Sequence, residues 1–176
     1  AADCKEILPP IYSYIRQFNE KYFQYDLGKA SERPCPGLVD RNGRQVTPML
    51  ECGVEPVETD DDLIIVRAPS RTNPEYSDCG LIHIGIDGSL TEIIPLRYTI
   101  PIVDNQGPEW IVAAVREPVR SRAKPIFRHG IFSFDGQLLV PFEYEDIRSG
   151  DDTERIAVCK GGEWFYINLK NERALF

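Results

Sequence analysis

Long apolar runs are missing from this 176-residue chain. The longest are only a few residues, far short of the roughly 20 that a membrane-spanning helix requires, so no integral membrane segment is expected. Histidine is scarce, and neither His83 nor His129 sits in a metal or nucleophile signature. Basic charge is in short supply as well: 20 Lys and Arg stand against 28 Asp and Glu, a formal charge of -8. That field disfavours nucleic acid and anionic membrane as main partners and favours a basic partner or a cation. Local catalytic signatures are missing too. There is no Gly-x-Ser-x-Gly, no Gly-rich phosphate loop opening a helix, and no Cys-x-x-Cys among the cysteines at 4, 35, 52, 79 and 159. Asp60-Asp61-Asp62 and Asp151-Asp152 offer hard oxygen ligands, but no alternating Asp-x-Asp-x-Asp-Gly loop surrounds them. No metal, cofactor or catalytic residue is therefore nominated.

What the chain does contain is a repeat. Gly37-Leu-Val-Asp-Arg-Asn-Gly43 leads to Pro48, Gly80 to Gly88 leads to Pro95, and Gly130-Ile-Phe-Ser-Phe-Asp-Gly136 leads to Pro141. Apolar runs open at Leu63, Trp110 and Ile156, each 15 residues after its proline. Each copy reads as strand A, a glycine turn, strand B ending near the proline, a connecting loop, and strand C. At Asp135-Gly136 the dipeptide between apolar runs predicts a two-residue type I′ hairpin turn, with positive φ at both central positions.

The ends fit the same ruler. Ile7 to Ile15 aligns with the stretch around Pro141, which makes Lys21 to Tyr25 its strand C, and Trp164 to Ile167 with Lys170-Asn171 is a last strand A and turn. Over residues 10–25 the spacing of Ile11, Tyr14, Ile15, Phe18 and Tyr22 also suits an amphipathic helix after Pro9 and Pro10. The repeat favours strand there, with room for a short helical turn. The expected fold is all-β, built of repeated antiparallel three-stranded units in a single domain, residues 1–176: a partial copy over 1–36, copies at 37–79, 80–129 and 130–164, and a partial copy over 165–176. The expected core is Leu38, Val46, Ile64, Val66, Ile82, Ile94, Ile111, Ile131, Val140, Ile156, Val158, Tyr166 and Ile167, with Tyr12, Tyr98 and Tyr144 packing each unit on its neighbour.

With Gly-Leu-Val-Asp-x-x-Gly at 37–43, Pro-x-x-Tyr-x-x-Ile at 141–147 and Gly-x-x-Trp at 161–164, the chain resembles the WG-repeat family of bacterial proteins. The name-giving Trp survives only as Trp164, followed by Phe165 rather than Gly, and Glu51 stands where other copies carry Tyr12, Tyr98 and Tyr144. The resemblance implies an all-β, non-enzymatic scaffold for protein contacts. Some similar secreted proteins inhibit bacterial toxins, among them phospholipase effectors of type VI secretion.

Equivalent loops of a repeat gather on one edge. Loops from proline to strand C place Glu58, Asp60, Asp61 and Asp62, then Asp104, then Asp151 and Asp152 on one acidic edge. Insertions between strand C and the next strand A carry Arg71 and Tyr76, then Arg120 and Arg122, at an opposite corner. Tyr and Arg anchor interfaces, so these eleven residues are the expected partner-binding set. The opening Ala1-Ala2-Asp3-Cys4 without Met reads as a mature secreted end, and five cysteines suit an oxidising compartment. The expectation is a periplasmic protein with a Cys35–Cys79 disulfide, Cys4–Cys52 being a second pairing. Function is expected to be binding of a protein partner, as an immunity protein occluding a toxic enzyme. The alternative is a carbohydrate or peptidoglycan module stacking sugars on exposed Trp110 or Trp164.

Overall fold

The computed structural model describes residues 12–26, 37–47, 53–70, 77–99, 109–117, 125–149 and 155–174. None of these is helical, so among the described residues no helix is long and apolar enough to cross a membrane. Strand β1 (Tyr14–Gln17), β2 (Tyr22–Asp26), β3 (Gly37–Asp40) and β4 (Gln45–Thr47) form one sheet in that order. β5 (Gly53–Val57), β6 (Asp60–Pro69), β7 (Ser77–Ile84) and β8 (Leu90–Tyr98) form a second. β9 (Trp110–Glu117), β10 (Ile126–Ser133) and β11 (Leu138–Tyr144) form a third, ordered β11-β10-β9, and β12 (Asp146–Ser149), β13 (Ile156–Lys160) and β14 (Glu163–Ile167) a fourth.

The chain is all-β, as the repeat demands, and of residues 10–25 the described part, 12–25, contributes strands β1 and β2 rather than a helix. One part of the expectation needs correcting. The segment between proline and strand C contains a strand of its own: Tyr14, Gly53 and Asp146 open β1, β5 and β12, each five residues after Pro9, Pro48 and Pro141. In the remaining copy Thr99 makes the same antiparallel bridge to Ala114 on β9, with both N–H···O bonds formed at 2.9 and 2.6 Å. The unit therefore has four strand positions. Each sheet joins the last two of one sequence copy to the first two of the next, so β2 pairs with β3, β6 with β7, β9 with β10 and β13 with β14.

Turn chemistry differs from expectation in an instructive way. Gly43, Gly88 and Gly136 have φ of 79°, 83° and 87°, while the residues before them do not have positive φ. Gly136 N donates to Ser133 O at 3.0 Å and Ser133 N to Gln137 O at 2.9 Å, so 134–136 is a three-residue loop with one left-handed residue, not a type I′ turn. In the last copy Asn171 holds the left-handed position at φ 61°, the role that its alignment with glycine assigned. The I′ signature belongs instead to Gly161 and Gly162, both at positive φ between β13 and β14.

The chain forms two compact units, Ala1–Glu92 and Ile93–Phe176, the division falling inside β8. In the first, Phe18, Tyr22, Leu38, Val54, Ile64, Val66 and Ile84 form a core with Val46 and Ile82 packed on it. In the second, Trp110, Val112, Ile131, Val140, Tyr144, Ile147, Ile156, Val158 and Ile167 do the same. Each fully buried Ile or Leu contributes about 1.5–3 kcal/mol. Tyr166 departs from the expected core: neighbours on a strand face opposite sides, and with Ile167 buried, Tyr166 faces solvent. Tyr98 is buried against Phe132 and Phe142, and Tyr144 donates a 2.6 Å bond to Asn171 of the next turn, so both pack as expected.

Candidate functional site

Two turns meet in the first unit. The chain reverses between β1 and β2 at Asn19–Lys21, where the Asn19 side chain accepts the N–H groups of Lys21 and Tyr22 at 3.0 and 2.9 Å. The β5–β6 reversal at Glu58–Thr59 brings Asp60, Asp61 and Asp62 alongside. Asn19 donates to Asp61 O at 2.9 Å, and Glu20 N donates to the Asp61 carboxylate at 3.3 Å. Asp62 receives Lys21 Nζ on one oxygen at 2.5 Å and the Tyr22 hydroxyl on the other at 2.8 Å. Burial pulls the Asp62 pKa upward, but the bonds from Lys21 and Tyr22 outweigh it and hold the carboxyl below the usual range. Tyr22 is pushed well above an ordinary phenol by burial and then by Asp62.

Beside this latch opens a cleft of about 350 Å³. Its walls are the A–B turns of the first two sheets, Asp40–Gly43 and Gly85–Gly88, and its lining includes Glu20, Lys21, Tyr22, Asp62, Arg41 and Arg44. Arg44 ties the walls together by donating from Nη2 to Asp87 O at 2.7 Å. Arg41 donates to Glu20 O at 2.7 Å and meets the Glu20 carboxylate at 3.4 Å. Ile86, at the tip of the second turn, is fully exposed. The site offers guanidinium donors, a carboxylate and a bare apolar tip, a combination suited to holding a polypeptide segment.

Of the expected partner-binding residues, the described ones fall here. Glu58 is exposed and lines a neighbouring open groove with Gln17, Asn19, Glu20 and Asp61. Asp61 and Asp62 join the two turns, and the Asp60 carboxylate accepts Asp62 N at 2.9 Å. These carboxylates are brought together, but as ties within the fold. Asp104, Asp151, Asp152, Arg71, Tyr76, Arg120 and Arg122 lie outside the described residues. Sequence reasoning missed Ile86, Arg41 and Arg44 because it treated the hairpin turns as scaffold. The available signal was a β-branched apolar residue at a turn tip, in Gly85-Ile-Asp-Gly88.

A second exposed group lies on the fourth sheet, where Trp164 and Tyr166 share the outer face of β14 at 48% and 37% exposure. The Arg148 guanidinium sits over the Trp164 ring, 4.6 Å from its centroid. Trp110, by contrast, is only 3% exposed and belongs to the core, which removes it as a stacking platform. Of the expected Cys35–Cys79 pair only Cys79 falls among the described residues. Cys79 is buried on β7, where its sulfur accepts from Arg67 Nη1 at 3.0 Å, and Arg67 is clamped by Glu55 across the ladder at 2.6 and 3.0 Å. Cys35, Cys4 and Cys52 lie outside the described residues. Cys159 is a buried thiol, as its place on strand C suggests. Among the described residues no group of three or more His, Cys, Asp or Glu is placed to hold a metal ion.

Comparison with known proteins returned one family: the model of the WG containing repeat matches residues 5–28 and 135–164. No curated protein and no solved structure matches the chain. Both matched stretches coincide with repeat positions read from the sequence, the second running from the Asp135-Gly136 turn through Trp164.

Proposed function

We propose a non-enzymatic protein-binding role for this chain, two stretches of which match the WG containing repeat. The observation that carries the reading is Ile86, a large apolar side chain wholly in solvent and rimmed by Arg41, Arg44 and Glu20. An apolar centre with a charged rim is how protein interfaces are built. Trp164, Tyr166 and Arg148 supply a second surface of the residue types that dominate binding energy. The finer form of the proposal is a periplasmic inhibitor that occludes a bacterial toxin enzyme, for which the implied kinship with toxin inhibitors speaks.

The test is recovery of a partner from native cells on the immobilised full chain, followed by reconstitution with the purified partner and by the same trial with Ile86→Asp. Saturable binding that Ile86→Asp weakens supports the reading. Failure to reconstitute any partner, or an unaffected affinity, overturns it.

A further inference from the structure

The four A–B turns share one geometry, which allows their tips to be compared position by position. The second residue of each turn is Arg41, Ile86, Phe134 or Leu169. Leu169 packs against the core of its own unit and Phe134 is half-buried. Ile86 has no such cover. In the two apolar siblings, Phe134 and Leu169, the chain itself shields the tip, so the bare copy marks a place where an apolar group from outside the chain completes the packing.

The charges beside Ile86 select what that group carries. The Asp40 carboxylate already accepts the N–H groups of Asn42 and Arg44 at 2.8 and 2.9 Å, and Asp62 accepts Lys21 and Tyr22. Arg41 and Arg44 are committed less fully. A guanidinium has five N–H donors, and Arg44 uses one of them on Asp87 O. Arg41 gives Nε to Glu20 O at 2.7 Å, and its Nη2 meets the Glu20 carboxylate with side chains 62% and 80% exposed, an ion pair that solvent makes weak and exchangeable. The unmet demand of the cleft is therefore for hydrogen-bond acceptors of negative charge next to an apolar side chain.

We propose that the cleft between turns 40–43 and 85–88 docks an acidic, apolar segment of a protein partner, its carboxylate received by Arg41 and Arg44 and its apolar side chain seated on Ile86. The proposal rests on the protein-binding reading and adds the sign of the partner's charge. That sign runs against the net charge of -8, which alone favours a basic partner. Carboxylate recognition by arginine is charge-assisted and geometrically selective, so specificity resides in the two guanidiniums and contact area in Ile86.

The experiment is a chemical-shift titration of the isotope-labelled full chain with two capped peptides, acetyl-Gly-Leu-Glu-Glu-Leu-Gly-amide and its counterpart with Lys for Glu. The acidic peptide is expected to give saturable shifts at Arg41, Arg44 and Ile86, with affinity falling about tenfold in Arg41→Gln, as loss of a charge-assisted contact implies. Ile86→Ser, at a fully exposed site, weakens binding without lowering the melting temperature. Equal binding of both peptides, no saturable shifts, or shifts elsewhere on the chain would overturn the proposal. A reconstituted native partner whose affinity ignores Arg41→Gln and Ile86→Ser would also overturn it, whereas reconstitution itself tests the broader reading.

Discussion

The Tyr22 hydroxyl donates to Asp62 at 2.8 Å across 40 residues of sequence, joining the first sheet to the second. With Lys21 on the other carboxylate oxygen, this one side chain holds the turn of the first sheet against the reversal of the second. Asp62→Asn is expected to destabilise the first unit by about 1–2 kcal/mol, the net worth of bonds to a charged group discounted for a half-exposed lysine. Tyr22→Phe is expected to cost about 1 kcal/mol, and a double-mutant cycle by urea unfolding should show coupling between the two. Additive effects would contradict the latch.

The same contact sets a pH signature. Asp62 has its pKa lowered in the folded state, so its contribution is complete above the unfolded aspartate value, about 3.9, and is lost as pH falls through the folded value. Tyr22 has its pKa raised, so its contribution is complete below the unfolded tyrosine value, about 10, and is lost as pH climbs toward the folded value. Asp62→Asn should flatten the acid limb. The alkaline limb should persist in that variant, because burial is the larger cause of the Tyr22 shift. Thermal melts from pH 2.5 to 11, about the range these two groups span, decide both.

Two glycines at the same turn position should respond differently to one substitution. Asparagine tolerates the left-handed region, and Asn171 occupies it in the last turn. Gly88→Asn is expected to cost about 1 kcal/mol, since the nearest atom to an added Cβ is Arg44 Nη2 at 3.6 Å. Gly136→Asn should cost more, because its Cβ would lie 2.6 Å from the Ile93 carbonyl oxygen. Equal losses in chemical denaturation would show that the close approach is not felt.

Two tryptophans in opposite environments make a fluorescence prediction. Acrylamide should quench the emission in two phases, the accessible one from Trp164 and the protected one from Trp110. Trp164→Phe should abolish the accessible phase, and Arg148→Ala should increase the quenching of Trp164 by uncovering its ring.

Much of this architecture was legible because repetition magnifies weak signals. One Asp-Gly pair says little, but equal spacings from Pro48, Pro95 and Pro141 to Leu63, Trp110 and Ile156 placed strands β6, β9 and β13. The strands at Gly53–Val57 and Asp146–Ser149 were hidden because Glu, Pro and Asp there make a poor pleated pattern, and their pairing with the following strand forms them. The type I′ reading of Asp135-Gly136 failed because dipeptide composition does not count loop residues. The site was less legible than the fold. Acidic residues at 60–62 looked like a surface for a partner, and their neighbours at Asn19–Tyr22, 40 positions away in sequence, turned them into an internal tie. Exposure of Ile86 depends on which turns receive cover from the chain, a property no local pattern carries.

The central claim, that this repeat protein binds another protein through the Ile86 cleft, is tested most directly by titrating the reconstituted native partner against wild type and Ile86→Asp. At a fully exposed turn tip the substitution should leave the melting temperature unchanged, while loss of an interface anchor should raise Kd at least about tenfold. An unchanged Kd, with the partner still bound saturably, would contradict the claim.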